Sequence, residues 1–389
     1  TLRQHGPTRP DGTPMPYEVI VVDNQSPHKT PKLISMVEAE LQKVCEQQGD
    51  DKAGVLILHD ENGGYSKGMN LALSHSRGKW ILVSNPDLLF GEGLLPSLQR
   101  HLEGDPTAGI VVPKGFWDTS HAGHLPQHTL PTLWDAWAEV LGMYSRRFQY
   151  WHLKRLMKRW QVAWQAVEPM SLPMMSGCLF LTDREYFERI GTFDERYPLY
   201  YEDADLSVAI TKSGRRIVQV PDAHLVHFVN RSGMSDQETM WARHKVSRGK
   251  YYRKWYGLFG KLTLSATGWF LQAKVLARFR RVHQREPYVD LGESSKPPVL
   301  KLQRHCERYL VLLSLDLRFF LSAGIYGSGD SWTPSQESFD VFVNTVFFFC
   351  VFDLSSGEPE FLGTWRYRCL SHLGQEIPSA AAKQSGEVS

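Results

Sequence analysis

An alternation of strand and helix patterns over residues 17–112 limits this chain to a small set of folds. Three apolar runs of strand length alternate with two helical patterns, at 17–22, 32–45, 55–58, 67–76 and 80–84. Consecutive strands that are joined by helices form right-handed βαβ units. We therefore predict an α/β fold with a Rossmann-like, mostly parallel sheet, whose functional residues follow the carboxyl ends of the strands.

The rest of the chain departs from this alternation. We predict an α/β domain over 1–235, interrupted at about 116–170 by a helical insertion that is rich in Trp and basic residues. Residues 236–293 predict a basic helical extension and 299–376 a small β-rich C-terminal domain. Residues 377–389 are small and polar and predict a disordered tail.

Composition excludes several classes of protein. The 389 residues carry 44 Lys+Arg against 42 Asp+Glu, whereas nucleic-acid-binding proteins usually have a strong basic surplus, so no nucleic-acid partner is predicted. The 5 cysteines show no CxxC spacing, which argues against a disulfide framework or a zinc site and favours a cytoplasmic location. No apolar run reaches the roughly 18 residues of a membrane-spanning helix.

Two acidic motifs are candidates for chemistry. Asn85 and Asp87 flank a proline directly after a predicted strand, where a carboxylate can hold a divalent cation, although a plain Asx turn has the same pattern. Glu202, Asp203 and Asp205 lie at a predicted helix start. One of them could accept a proton from a substrate hydroxyl, and helix capping is the alternative explanation.

Glycines and histidines add two weaker signals. Residues 62–70 form a Gly-rich segment that opens a helix, which suits contact with phosphate or ribose, but the spacing is not that of a P-loop. His224 and His227 follow a predicted strand at 217–220. Two histidines at a strand end favour a metal contact, and a structural or surface role is the alternative.

Taken in order, these motifs resemble the family 2 glycosyltransferases of the GT-A fold. The resemblance rests on 21–26, 63–70, 84–87, 175–180, 193–206 and His227. Their spacing is most similar to the bacterial rhamnosyltransferase and galactofuranosyltransferase branch, and the similarity covers about 17–260. Residues 1–6 resemble only the end of the helix that follows the family's first strand, so we expect that strand to be missing from this sequence.

The resemblance implies roles for particular residues. It implies a nucleotide-sugar site formed by Asp23, Asn24, Gly68, Asn70, Asn85 and Asp87, in which the loop around Gly68 and Asn70 closes over the nucleoside. Asp87 and His227 would bind Mg²⁺ or Mn²⁺, and Asn85 stands where the family has the first Asp of its DXD motif. Asp203 matches the catalytic base. Glu202 is its neighbour near the acceptor, which Ser176 and Gly177 would also contact.

The implied activity is an inverting, metal-dependent transfer in bacterial surface polysaccharide and cell wall synthesis. Rhamnose, galactofuranose or a similar sugar would pass from a dTDP- or UDP-sugar donor to a glycan or lipid-linked acceptor. The alternative is a non-catalytic, membrane-associated glycan-binding or scaffold protein with a degenerate GT-A domain. Asn85 and the missing first strand favour that alternative.

Two further segments suggest partners. Residues 150–165 form a basic amphipathic helix with Trp at its edges, which suits an anionic membrane surface, although a helix packed on the sheet has the same pattern. Residues 248–281, which are basic and aromatic, support a peripheral location at the inner face of the plasma membrane. The aromatic residues of the C-terminal domain favour a structural role or homo-oligomerisation over sugar binding.

Overall fold

Strands and helices alternate at the start of the chain, as the sequence predicts. The structure is a computed structural model that describes residues 6–9, 12–26, 29–227, 237–279, 288–340, 342 and 344–370. Helix α1 (Pro31–Gln48) joins the parallel strands β1 (Val19–Asp23) and β2 (Gly54–Leu58). The helix begins where the side chain of Thr30 accepts a hydrogen bond from the backbone of Leu33, and Gly49 ends it in the left-handed conformation.

The central sheet contains strands of both directions. Its strands are β3 (Trp80–Ser84), β4 (Leu88–Phe90), β5 (Ala108–Phe116), β6 (Gly123–His124), β7 (Met170–Leu172), β8 (Leu179–Asp183) and β9 (Arg216–His227). Strands β5 and β9 are parallel, whereas β8 is antiparallel to both β3 and β5. The sheet is therefore more mixed than the predicted, mostly parallel one. Because β8 follows the helical insertion and not a short βαβ crossover, the handedness rule does not set its direction.

Helices cover both faces of this sheet. They are α2 (Tyr65–His75), α3 (Leu94–Gly104), α6 (Arg184–Arg189) and α7 (Glu202–Lys212). Side chains of β8 alternate between the faces: Leu179 and Leu181 pack in the cluster that contains α3, while Phe180 packs in the cluster that contains Leu206 of α7. The predicted α/β class is confirmed. This packing fixes the start of α7 beside the end of the sheet.

The helical insertion forms two helices, α4 (Leu133–Tyr144) and α5 (Arg146–Gln165). The apolar face of α5 is buried: Leu153, Met157 and Trp160 pack with Leu310 and Phe352 of the C-terminal region. The prediction that α5 lies on a membrane is therefore wrong, because its apolar side chains belong to a protein core. The alternative, a packed helix with a solvated basic face, describes this helix.

The C-terminal region is rich in β-structure, as predicted. Its elements are β10 (Val289–Ser294), β11 (Leu300–Ser314), β12 (Ala323–Trp332), α9 (Gln336–Asp340), β13 (Val346–Asp353) and β14 (Glu360–Cys369). The strand order is β10-β14-β13-β11-β12, and β12 also pairs with β6 of the central sheet, with Gly324 opposite His124. At Gly324 an added Cβ would lie 2.3 Å from Trp164, so only glycine allows α5 to approach so closely. The predicted tail at 377–389 lies outside the described residues.

Helix α8 (Gln237–Gln272) and a 3₁₀ helix (Lys274–Phe279) occupy much of the predicted basic extension. Gly257 has φ 54° and ψ −131° and kinks α8 in its middle. Residues 289–293, which we assigned to this extension, belong instead to β10, because they pair with β14. None of the helices in the described part of the chain has the length and apolar character needed to cross a membrane.

We predict that Trp160→Ala lowers the free energy of unfolding by about 3–5 kcal/mol, because it leaves a large cavity between α5 and the C-terminal strands. Trp160 is 1% exposed, whereas Trp151 on the same helix is 47% exposed. Trp151→Ala is the matched control and should cost less than about 1 kcal/mol. Urea unfolding followed by circular dichroism measures both. Equal losses for the two variants would contradict the packing of α5.

Candidate active site

Asp87 and His227 are brought together by a short antiparallel pairing. Strand β4 pairs with β9 so that Leu88 lies opposite His227, which places the preceding residue, Asp87, beside the histidine. Asp87 Oδ1 is 3.3 Å from His227 Nε2. Burial disfavours the charged imidazole, but hydrogen bonds to Asp87 and Cys178 outweigh it and raise the pKa of His227 to about 9.

This pair can supply two ligands to a divalent cation. A carboxylate oxygen and an imidazole nitrogen are ligands that Mn²⁺ accepts, while Mg²⁺ prefers oxygen. Among the described residues, no group of three or more His, Cys, Asp or Glu side chains converges on a metal position. A cation held here would therefore need further oxygens from a bound ligand or water. Asn85 holds the adjacent turn in place, since its backbone N–H donates to the carbonyl of Cys178 over 2.8 Å.

Asp23 is the last residue of β1, and Asn24, which follows it, organises the Gly-rich segment. The Asn24 amide donates to the carbonyl of Gly64 over 2.8 Å, and its oxygen accepts from the N–H of Gly63 over 3.1 Å. Asp23 pairs with Lys29 over 3.2 Å. Burial raises the pKa of Asp23, but hydrogen bonds from Ser26 and Lys29 outweigh it and the net shift is downward. Asp23 is thus an ionised hydrogen-bond acceptor, while Asn24 holds the loop in position.

The structure corrects the prediction for Gly68 and Asn70. Both residues lie inside α2, which begins at Tyr65, so they cannot form a loop that closes over a nucleoside. The Asn70 amide donates to the carbonyl of Phe193 over 2.8 Å and to Glu195 over 3.0 Å. Its side chain therefore joins α2 to the segment before α7. The N-terminus of α2, at Gly64, remains a position where backbone N–H groups can meet an anion.

The two acidic residues Glu202 and Asp203 follow a strained turn. Tyr200 and Tyr201 both have left-handed backbone angles, with φ 62° and 67°, which large aromatic residues rarely adopt. Such strain is stored preferentially at functional sites, where it aims side chains in a fixed direction. Here the turn directs the first residues of α7 towards Gly177, where an added Cβ would lie 3.4 Å from the Cβ of Asp203.

Glu202 and Asp203 are in different electrostatic environments. Glu202 is 7% exposed, and its Oε2 has no hydrogen-bond partner among the residues that the structure describes. Burial together with the charge of Asp203 raises the pKa of Glu202 to about 8. Burial also raises the pKa of Asp203, but His128 and the backbone N–H groups of Ala204 and Gly177 oppose that rise. The contacts of Asp203 with His128 and the two N–H groups favour its charged form and oppose the effect of burial, whereas the charge of Asp203 favours the neutral form of Glu202.

Three residues of the site were missed by the sequence analysis or given no specific role. The Tyr65 hydroxyl donates to the carbonyl of Gly177 over 2.7 Å, close to the charges of Glu202 and Asp203. Cys178, which lies in the 175–180 motif, hydrogen-bonds to His227. His128 interacts with the charges of both Asp203 and His227, so it lies near the acidic pair Glu202–Asp203 and near the Asp87–His227 pair. The position of Tyr65 after two glycines was a usable signal, whereas nothing in the sequence around His128 indicated its role.

The segment that carries His128 is held by α8. Tyr252 donates to the carbonyl of Thr132 over 2.8 Å, and Tyr256 donates to that of Pro131 over 3.1 Å. These hydrogen bonds fix the exit of the His128 segment where α4 begins. Ser176, which we predicted to contact the acceptor, is half-buried next to Gly177. The structure therefore gathers Ser176, Gly177, Glu202 and Asp203 into one part of the site.

Asp205 anchors α8 to the start of α7. It is buried and accepts hydrogen bonds from Tyr197 (2.9 Å), Trp255 (2.7 Å) and Lys254 (2.7 Å). Lys254 also pairs with Asp194 over 2.9 Å. With its oxygens occupied in this way, Asp205 supports the backbone that carries Glu202 and Asp203 and does not itself face a substrate.

Comparisons with known proteins bear on this site. Residues 2–191 match the model of a family described as Glycosyl transferase family 2. The chain is 27% identical over 250 residues to an N-acetylglucosaminyl-diphospho-decaprenol L-rhamnosyltransferase of Mycobacterium tuberculosis, which covers 60% of this chain and 74% of that protein. It is 25% identical over 265 residues to the O-antigen biosynthesis protein RfbC of Myxococcus xanthus, covering 64% of this chain and 18% of that protein.

A solved structure with some similarity is a mannosyltransferase of Pyrobaculum calidifontis in complex with GDP-Man and Mn²⁺. The TM-score is 0.37 at 21% identity, and the match covers 66% of this chain and 61% of that chain. The chain thus spans less than two thirds of that protein.

Proposed function

We propose that this chain is an inverting glycosyltransferase with a nucleoside diphosphate sugar donor, because residues 2–191 match the model of glycosyl transferase family 2 and the motifs agree with it. The similarity to a mycobacterial rhamnosyltransferase and to an O-antigen biosynthesis protein supports rhamnose or a related sugar, carried by dTDP or UDP. It also supports a glycan or lipid-linked acceptor in bacterial surface polysaccharide synthesis.

One observation carries this proposal. The buried carboxyl of Glu202, whose Oε2 has no partner in the described part of the chain, lies beside Asp203 at a strained turn. A buried polar atom without a partner is costly, so a site that retains one is suited to a ligand that supplies the missing hydrogen bond. An acceptor hydroxyl bound here would be next to Asp203, which is the group that can remove its proton.

The reaction needs one base. Asp203 accepts the proton of the acceptor hydroxyl while the hydroxyl oxygen bonds to the anomeric carbon. The bond from that carbon to the diphosphate breaks, and its electron pair leaves with the phosphate oxygen. Because attack comes from the face opposite the diphosphate, the anomeric configuration inverts. No second carboxylate on the opposite face is required, unlike in a glycosidase.

The other residues of the site hold the donor. Asp87 and His227 would bind a Mg²⁺ or Mn²⁺ ion together with the donor diphosphate, and such an ion neutralises the charge on the departing group. Asp23, at the end of β1, is placed to accept a hydrogen bond from the base or ribose. Asn24 and Gly64 hold the N-terminus of α2, where N–H groups suit phosphate oxygens.

We predict a bell-shaped dependence of kcat/KM on pH. Asp203 works only when it is deprotonated, so activity is lost as pH falls through its pKa. Because this pKa is raised, the loss begins at a higher pH than it would for an ordinary Asp. Glu202 acts in its protonated form, in which it can donate a hydrogen bond to the acceptor, so activity also falls as pH rises through about 8. The two apparent pKa values of this profile belong to Glu202 and Asp203 together, because the two groups titrate as a coupled pair. Steady-state kinetics of Glu202→Gln should show that the alkaline limb has disappeared; an unchanged alkaline limb would contradict this assignment.

Donor binding tests the proposed function. Calorimetric titration with a panel of dTDP- and UDP-sugars, with Mn²⁺ or Mg²⁺ present, should show binding for at least one donor and a loss of affinity when EDTA is added. The matched control titrates the free sugars, which lack the diphosphate. If no nucleotide sugar binds under any of these conditions, the degenerate scaffold becomes the better explanation.

A further inference from the structure

The second half of α8 and the 3₁₀ helix that follows it expose an unusual amount of apolar surface. We call this surface the apolar strip, and it consists of Leu258, Phe259, Leu262, Trp269, Val275 and Phe279. Each of these side chains is between 51% and 72% exposed. Single exposed apolar residues are ordinary, but a contiguous series of large ones usually marks an interaction site.

Packing against the other described residues does not bury the apolar strip. The opposite side of α8 contacts α4, where Phe270 lies 5.8 Å from Trp137 and its carbonyl accepts a hydrogen bond from Tyr144 over 2.7 Å. Leu258, Leu262 and Trp269 share the other side of the helix, because their spacing is close to whole helical turns. A helix on a protein surface normally carries polar residues on that side. The strip is therefore available to a partner.

The charge around the apolar strip indicates which partner. Residues 239–285 contain 12 Lys and Arg and no Asp or Glu. Within this stretch, Lys261 and Lys274 are exposed beside the strip. A helix with exposed Trp, Phe and Leu and with basic flanks has the pattern that adsorbs to anionic lipid. Arg248 and Lys254 of this stretch pair with Glu139 and Asp194, so the charge that opposes association with a second copy of this chain is that of the exposed Lys261 and Lys274.

We propose that the apolar strip docks the protein on the surface of an anionic phospholipid bilayer. The strip starts immediately after the kink at Gly257, and the preceding half of α8 contacts the site, where Ser247 donates to the carbonyl of Leu199 over 2.7 Å. If the proposed function holds, docking would bring the site to an acceptor that is anchored in the same bilayer. The contact surface differs from α5, whose apolar face is buried.

Sedimentation with vesicles tests this proposal on the full chain. Vesicles of phosphatidylcholine with about 30% phosphatidylglycerol should bind the protein at least about tenfold more strongly than vesicles of pure phosphatidylcholine. The triple variant Phe259→Ser, Leu262→Ser, Trp269→Ser should reduce binding to the anionic vesicles at least about tenfold. The control is Val162→Ser, Val167→Ser, which removes apolar side chains that are 60% and 81% exposed outside the strip. Its vesicle binding should equal that of the wild type.

Several outcomes would overturn the proposal. These are equal binding by the triple variant and the control, equal binding to neutral and anionic vesicles, or a dimer in light scattering that only the triple variant loses. Circular dichroism and the thermal midpoint must match between the triple variant and the control, so that unfolding is not mistaken for lost docking. Donor titration of the triple variant should be unchanged, which separates a failure of docking from a failure of the proposed function.

Discussion

Replacing Asp203 with Asn is expected to lower kcat by about 10²–10⁴-fold while donor affinity changes little, because general base catalysis contributes a factor of that size. The substitution preserves the shape of the side chain and keeps an oxygen that can accept from the N–H of Ala204, which is 2.8 Å away. It removes the negative charge and, with it, the ability to take a proton. Single-turnover kinetics measure the rate, and calorimetry measures the donor Kd.

Two controls make the Asp203 result specific. Asp51→Asn changes an exposed acid in the turn after α1 and should leave kcat unaltered. Asp205→Asn changes a buried acid two residues from Asp203 that anchors α8, so its main effect should be a lower thermal midpoint. Turnover by Asp203→Asn at the wild-type rate would remove Asp203 from the mechanism.

Asp87→Asn is expected to weaken metal-dependent donor binding by at least about 10–100-fold, the range that follows even from changing residues that only support metal ligands. The amide is a poorer ligand for a divalent cation than the carboxylate, and it also lacks the charge that pairs with His227 over 3.3 Å. Calorimetry with Mn²⁺, with and without EDTA, measures the difference. In wild type EDTA should weaken binding strongly, and in Asp87→Asn it should make little further difference.

The partnership of Asp87 and His227 can be tested by combining variants. If both residues act on one ion, Asp87→Asn with His227→Ala should bind donor little worse than either single variant, because residues that act as a unit are not additive. Glu92→Gln is the control, because it changes an exposed acid shortly after β4, and its effect on donor binding should be small. Fully additive losses in the double variant would argue against a shared ion.

Much of the site could be predicted because its residues follow strand ends. Asp23 ends β1, and the Asp87 turn follows β3. Strands β1 and β3 both have strong apolar patterns. What the sequence could not show is the contact between Asp87 and His227, since it depends on β4, a strand of 3 residues that has no periodicity to detect. Only the order of the motifs, through the family resemblance, suggested that these two residues act together.

Prediction of the fold from the sequence was limited in a similar way. The apolar face of α5 was visible in the sequence, but amphipathic spacing does not distinguish a membrane from a sheet as the partner, and here the partner is formed by strands more than a hundred residues later. Strand β12 was not predicted because glycines at 324, 327 and 329 interrupt its pattern. Two of these glycines are required by neighbouring rings: an added Cβ would lie 2.3 Å from Trp164 at Gly324 and 2.5 Å from Tyr309 at Gly327. Gly329 has a φ of 116°, a backbone conformation that favours glycine.

The misassignment of Gly68 and Asn70 has a local cause. The helical pattern was placed at 67–76, yet the family resemblance implied a loop around Gly68 and Asn70, in keeping with the preference of Gly and Asn for loops. The helix instead starts at Tyr65, whose ring packs against Phe193 at 5.7 Å, and Asn70 bonds to the same segment. Tertiary contacts thus override the local preference, which is common for short polar helices.

Transfer itself is the most direct test of the account. The measurement follows nucleoside diphosphate release from a panel of dTDP- and UDP-sugars, with Mn²⁺ and a lipid-linked N-acetylglucosamine acceptor, for wild type and Asp203→Asn. We predict release by the wild type with at least one donor, dependent on both metal and acceptor, and a loss of about 10²–10⁴-fold in the variant. Equal release by both proteins, or metal-dependent donor binding with no release for any sugar, would contradict the assignment of Asp203 as the base of a glycosyl transfer.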